Sequence, residues 1–276
     1  MRLGKVNLNL FLGGIIVCLI IFVAMLSLVY TPHDPNRMNL TQRFQPPGGI
    51  HLLGTDQYGR DILSRLMEGA WNSLIVGAIA VGIGLTLGVL LGSLAAYWKG
   101  WKDEGIMRLV DALYGFPAVL SAILFTSMFG PGIVNSMIAI GLFNIPIFAR
   151  LTRGVSLSVW ERDFVTSARA VGQSNLAIIW HTILPNILSP LIVQTTVQIA
   201  IAILAEAALS YLGLGTQPPQ ASWGRMLSEA QTFMEIYPWL AICPGLAIAL
   251  AVLGFNLLGD GLRDLFDPKL RKMGHK

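Results

Sequence analysis

No charged residue lies between Glu68 and Lys99, and none between Asp111 and Arg150. A bilayer's hydrocarbon core takes about 20 apolar residues of α-helix to cross, so runs of this length decide the class of the fold before any other feature does. Soluble domains carry roughly a quarter charged residues. Here the share is 12%, beside 54% hydrophobic. The fold class that follows is all-α, a polytopic membrane protein.

Six transmembrane helices are expected. The first, Leu10 to Tyr30, follows Arg2 and Lys5. It is longer than the about 7–15 apolar residues of a secretory signal core and leads into Thr31-Pro32-His33-Asp34-Pro35 without a convincing cleavage site, so it is read as a retained helix. The second covers 74–98. Gly130-Pro131-Gly132 divides the next uncharged run into a helical hairpin with arms at about 106–129 and 133–155, and the last two spans fall at about 185–205 and 236–259. The chain then divides into residues 1–70, holding the first helix and an outer segment; a core of 71–260; and a tail of 261–276. Lys and Arg favour the cytoplasmic side. With the N-terminus inside, 14 of the 19 fall on inner segments and only Arg37, Arg43, Arg60, Arg65 and Arg225 lie outside. Both termini are then cytoplasmic, and so is the loop 161–184.

Gly84, Gly88 and Gly92 repeat G-x-x-x-G along the second span, a bare stripe that lets a neighbouring helix approach closely. Ionisable residues at membrane depth are expensive and mark candidate sites. Asp111, three residues after Arg108, is read as its intrahelical partner at the inner membrane surface. Glu206, near the outer end of the fifth span, is the possible path residue, facing either headgroups or a polar route. Before the second span, Asp61 can cap a helix whose Ile62, Leu63, Leu66, Met67 and Ala70 form an apolar face, expected to lie on the outer leaflet. Between Leu209 and Pro238 a glycine- and proline-shaped turn precedes a possible short helix from Met226 to Phe233.

Catalytic signatures are absent. There is no G-x-x-x-x-G-K-[ST] and no H-E-x-x-H, and Leu257 stands where a G-x-G-D protease pattern needs glycine. Cys18 and Cys243 lie far apart in apolar runs and suit core positions. His33, His51, His181 and His275 are scattered in sequence, so no metal site and no cofactor is expected on this chain, and no basic stretch interleaved with aromatics suggests nucleic acid. Lipid is the surrounding medium.

The inner loop holds FVTSARAVGQSNLAIIWHTILPNIL, Phe164 to Leu188. Phe164, Ala168 and Val171 recur at i, i+4 and i+7, as on a short amphipathic helix. Gly172 ends it, Ser174 or Asn175 caps a second helix, and Leu176, Ile179, Trp180 and Ile183 give that helix an apolar stripe before Pro185 opens the fifth span. Small residues and the lack of lysine make the pair a poor lipid anchor and a better insert for a protein groove.

This stretch resembles the EAA loop of binding-protein-dependent ABC importer permeases: E-A-A, three residues, G, nine residues, I-x-L-P. Thr166-Ser167-Ala168 stands at E-A-A, Gly172 at G, and Thr182-Ile183-Leu184-Pro185 at I-x-L-P; the spacing is kept, and threonine replaces the glutamate. LLGTDQYGRDILSRLMEGAWNSL (52–74), AEAALSYLGLGTQPPQASWGRMLSEA (205–230) and GFNLLGDGLRDLFDPKL (254–270) resemble the second-permease subunits of dipeptide, oligopeptide and nickel importers. The resemblance implies the ABC type I importer permease fold in a bacterial inner membrane. It also implies a second homologous permease, two cytoplasmic ATPase subunits and a periplasmic solute-binding protein as partners. On this reading Thr166, Ser167, Ala168, Arg169 and Gly172 couple the spans to the ATPases, this chain is not itself an enzyme, and the cargo is peptide, with nickel or another small solute as the alternative. A stand-alone channel or secondary carrier is a further alternative, for which the chain lacks evident buried carboxylate relays and broken mid-membrane helices.

Overall fold

A computed structural model of the chain describes residues 8–266. Arg2, Lys5, His275 and residues 267–276 of the tail lie outside the described residues. In chain order the helices are α1 (Leu8–Leu26), α2 (Ile62–Trp98), α3 (Gly100–Tyr114), α4 (Ala118–Phe129), α5 (Ile133–Trp160), α6 (Asp163–Ala170), α7 (Asn175–Ile178), α8 (Leu184–Tyr211), α9 (Trp223–Ala230) and α10 (Trp239–Phe266). Five stretches are long and apolar enough to cross a membrane: α1, α2, α5, α10 and the run Asn175–Tyr211 that contains α8. The expected third span is bent by 83° between α3 and α4, and counts as the sixth if the two are taken together. The break has a local cause, because Pro117 offers no N–H and keeps Phe116 out of helical geometry.

The second span departs from expectation at its start. Asp61 accepts the N–H of Ser64, and one helix runs unbroken for 37 residues to Trp98. At 1.5 Å per residue it is about 55 Å long, well beyond the roughly 30 Å hydrocarbon core, so its first turns stand clear of the bilayer. The face assigned to the outer leaflet does not lie on lipid. Ile62, Met67 and Ala70 are buried; Ile62 packs with Met226 and Ala230 of α9 and Leu240 of α10. Sequence periodicity finds such a face but cannot say whether lipid or protein covers it.

Helices α2 and α5 pack closely along the glycine stripe. A Cβ added to Gly88 would stand 2.6 Å from Phe148 Cβ and 2.8 Å from the Ile145 carbonyl oxygen, and Gly84 and Gly92 meet Asn144 and Ala149 just as tightly. Gly13 of α1 abuts the α10 backbone at Leu257 and Leu258, and Gly261 abuts Leu10. α1 and α10 are therefore antiparallel, and the described chain begins and ends at one end of the bundle. The core has two main parts, one built on α2, α5 and α8 with Val165 and Ile178 at its α6 end, the other on α1, α8 and α10 with Trp223 of α9. Outward-facing Phe22, Leu90, Leu124 and Met128 are exposed, as suits helices whose solvent is hydrocarbon.

Candidate functional site

The loop that resembles the EAA segment and the possible path residue Glu206 lie at opposite ends of the bundle. At one end α5 leads into α6, which has Asp163 in its first turn and Arg169 in its last, each sign matched to the nearer pole of the helix dipole. Gly172 terminates it: the Gln173 N–H donates to the Ala168 carbonyl at 3.1 Å and the Gly172 N–H to the Arg169 carbonyl at 2.9 Å. This double bond pattern is a Schellman cap, which needs a left-handed residue, and Gly172 has φ +84°.

The inward face of α6 differs from the one periodicity suggested. Val165 is fully buried, in one cluster with Trp160 and Ile178, whereas Phe164 is 47% and Val171 83% exposed. Helix α6 is too short to bury an i, i+4, i+7 stripe, and Val171 already belongs to its C-cap. Exposed on it are Thr166, Ser167, Arg169 and Ala170, with Ala168 half-buried. The Arg169 guanidinium lies 4.8 Å from the Trp160 ring centre. A Cβ on Gly172 would meet nothing within 4 Å, so only its backbone demands glycine.

Ser174 caps α7 by accepting the Ala177 N–H at 3.3 Å. The expected stripe beyond it splits: Ile179 and Ile183 are buried while Leu176 and Trp180 are 63% and 64% exposed. Ile179–Ile183 form a π-helical turn, which rotates the side-chain register just where Pro185 has no N–H for the helical ladder. The span therefore enters through a widened turn, not at a fresh helix start.

Nearby, Asp111 bonds Arg150 at 2.6 Å rather than Arg108, which pairs with Glu104 at 2.6 Å. The i, i+4 pair on α3 was in reach, and α5 supplies the cation for Asp111. Arg153 holds Asp103 with two bonds of 2.6 Å. These tertiary pairs tie α3 to α5.

At the other end, Glu206 faces neither headgroups nor a path. It is completely buried and accepts hydroxyl bonds from Ser73 at 3.0 Å, Ser210 at 2.6 Å and Thr216 at 3.3 Å. It locks α2, α8 and the turn before α9 together. Sequence reasoning also missed an ion cluster in which Arg60 bonds Asp56 at 2.6 Å and Glu229 at 2.5 Å. Arg65, 1% exposed along its side chain, reaches Glu229 at 3.4 Å. The only sequence signal was an excess of charge in 56–68 that an exposed loop did not need. Two of the histidines read as scattered also meet here: the His33 and His51 rings lie 4.6 Å apart, centre to centre, beside Asp61. Burial would raise the Asp61 carboxyl, but hydrogen bonds from Ser64 and His51 outweigh it and hold the group below its ordinary value.

Helices long and apolar enough to cross a membrane join the two ends, and the sequence comparisons fit that geometry. Residues 88–272 match the family of the binding-protein-dependent transport system inner membrane component. The chain belongs to this family. The permease is 43% identical over 267 residues to the dipeptide transport system permease protein DppC of Alkalihalophilus pseudofirmus, covering 97% of this chain and 88% of that protein. It is 43% identical over 260 residues to the glutathione transport system permease protein GsiD of Pectobacterium atrosepticum, covering 94% and 86%. The GsiD of Escherichia coli O6:K15:H31 is 46% identical over the same length. An inward-facing structure of the MetNI methionine ABC transporter has a TM-score of 0.61 at 15% identity, over 73% of this chain and 96% of that one, a likeness of fold alone. The permease is thus a multi-pass inner-membrane subunit of an ABC importer, in a system that includes a binding protein and ATPase partners.

Proposed function

We propose that this permease forms half of the translocation path of a peptide importer, beside a second homologous permease, with two ATPases under α6 and a solute-binding protein over α9. Both termini and α6 are then cytoplasmic. The observation that carries the coupling reading is α6 itself: a short helix held to the bundle through Val165, sharply ended at Gly172, with Phe164, Thr166, Ser167, Ala170 and Val171 left exposed. Such a helix fits a groove on a partner, and its rigid link to α5 and α7 gives ATPase closure a lever on the spans, which move as rigid bodies between two-sided states. Thr166 is exposed and uncharged, so its contact with an ATPase is not a glutamate salt bridge. ATP is hydrolysed on the separate subunits and this chain binds no nucleotide.

Peptide as cargo is supported by relatives that transport dipeptides and glutathione. Selectivity resides largely in the binding protein. Thermal shift of the co-encoded binding protein with di- and tripeptides and with Ni²⁺ tests it; stabilisation by peptide is expected, and stabilisation by Ni²⁺ alone would replace peptide with metal.

Coupling has its own test. Gly172→Val forces a β-branched residue to φ +84°, where it is strongly disfavoured, and should leave the importer assembled while ATP hydrolysis no longer drives uptake. Full coupled transport by the variant would exclude the lever.

A further inference from the structure

We propose that His33, His51 and Asp61 form a binding site for one divalent first-row transition ion of the zinc class, fastening the segment between α1 and α2 to the start of α2. Ligand atoms of the three residues lie within 4.8 Å of one another. His33 Nδ1 is buried and makes no hydrogen bond, although it faces Asp61 Oδ1 at 3.6 Å. That separation is too long for a hydrogen bond. It is close to the roughly 3.3 Å between two donors on a tetrahedral ion with bonds of about 2.0–2.1 Å.

His51 Nδ1 stands 2.8 Å from the same Asp61 oxygen, a separation that holds one proton. An ion bound between them takes the place of this proton, which leaves to water, and the ring moves by about half an ångström to reach ligand spacing. The carboxylate is aimed in advance. Its other oxygen, Oδ2, accepts the Ser64 N–H at 2.8 Å and the Ser64 hydroxyl at 2.7 Å, the outer-shell support that metal-ligating carboxylates use. Ser64 Oγ also accepts the His33 backbone N–H at 3.0 Å, so one serine orients two of the three ligands.

Two imidazoles and one carboxylate select zinc, nickel or copper over calcium and magnesium, which prefer oxygen alone. A hollow of about 420 Å³ beside the cluster, lined also by Asp34, Asn39, Gln42 and Arg37, leaves room for a water as fourth ligand. Arg37 is exposed, and its long side chain can turn its charge to solvent.

The test uses the full chain, purified through a histidine-free tag into lipid nanodiscs, stripped with chelator and titrated with Zn²⁺ and with Co²⁺ as a spectroscopic probe. Wild type should bind about one ion per chain with the visible absorption of low-coordinate Co²⁺. His33→Phe, which keeps a ring in place and disturbs no side-chain hydrogen bond, should weaken binding at least tenfold, as should His51→Phe. His181→Ala, at the other end of the bundle, should bind as wild type does. Asp61 caps α2, so Asp61→Asn is not the deciding variant. No saturable binding by wild type, or equal binding by His33→Phe, would overturn the site.

Discussion

Gly88 and Gly82 sit on the same helix, are both glycine, and differ in one respect: Gly88 faces α5 and Gly82 faces open space. Alanine at either position gains the same helix propensity, about 1 kcal/mol. At Gly88 the added methyl meets Phe148 Cβ at 2.6 Å, the Ile145 carbonyl oxygen at 2.8 Å and the Ala149 nitrogen at 3.0 Å, where ordinary carbon contacts begin near 3.5 Å. Two of these neighbours are backbone atoms of α5, so α2 and α5 must separate by close to 1 Å. Overpacking of this kind costs about 1–3 kcal/mol. Because propensity cancels between the two variants, Gly88→Ala should be less stable than Gly82→Ala by that amount, or about 2–5 °C in melting temperature for a chain of this size. Tryptophan fluorescence of each variant in nanodiscs during a thermal ramp measures it. Equal melting of the two variants would refute close α2–α5 packing as the function of the stripe.

Two further outcomes follow from buried polar groups. Glu206→Ala removes the shared acceptor of Ser73, Ser210 and Thr216; with unsatisfied hydroxyls at about 1–3 kcal/mol each and some re-bonding to helix carbonyls, the loss should be about 2–5 kcal/mol, and protease cleavage near α9 should accelerate. Cleavage at the wild-type rate would show that Glu206 is not a lock. Asp103→Ala leaves Arg153 without its paired acceptor and should destabilise the α3–α5 contact by about 1–3 kcal/mol, read as faster hydrogen exchange in α3. Unchanged exchange there would remove that ion pair from the account.

Much of the fold was legible because hydrocarbon imposes simple rules. Uncharged runs located the spans, the Gly130–Gly132 hairpin separates α4 from α5 as expected, and the 84-88-92 stripe reports a close approach. What was not legible depended on which surface meets which. Ile62 looks the same in sequence whether lipid or α9 covers it, and Asp111 shows its local neighbour Arg108 but not Arg150 on α5. Glu206 could be read only as facing headgroups or a path, because Ser73, its partner on α2, is remote in sequence and the turn that brings Thr216 back onto it has no periodic signature. His33 and His51 read as scattered until the segment before α2 folds them against Asp61. In the loop 161–184, spacing located Gly172 as the end of the first helix, while the π turn before Pro185, which redirects Leu176 and Trp180 outward, has no periodic signature.

On the proposed reading this permease acts only as part of an ATP-driven, binding-protein-dependent importer. Uptake of a labelled peptide into vesicles reconstituted with this chain, its partner permease, the ATPase subunits and the binding protein tests it directly, with each component omitted in turn. Uptake should need ATP, the binding protein and this chain together, and should be lost with Gly172→Val while the complex stays assembled. Uptake by this chain alone under an ion gradient, without ATP or binding protein, would contradict it.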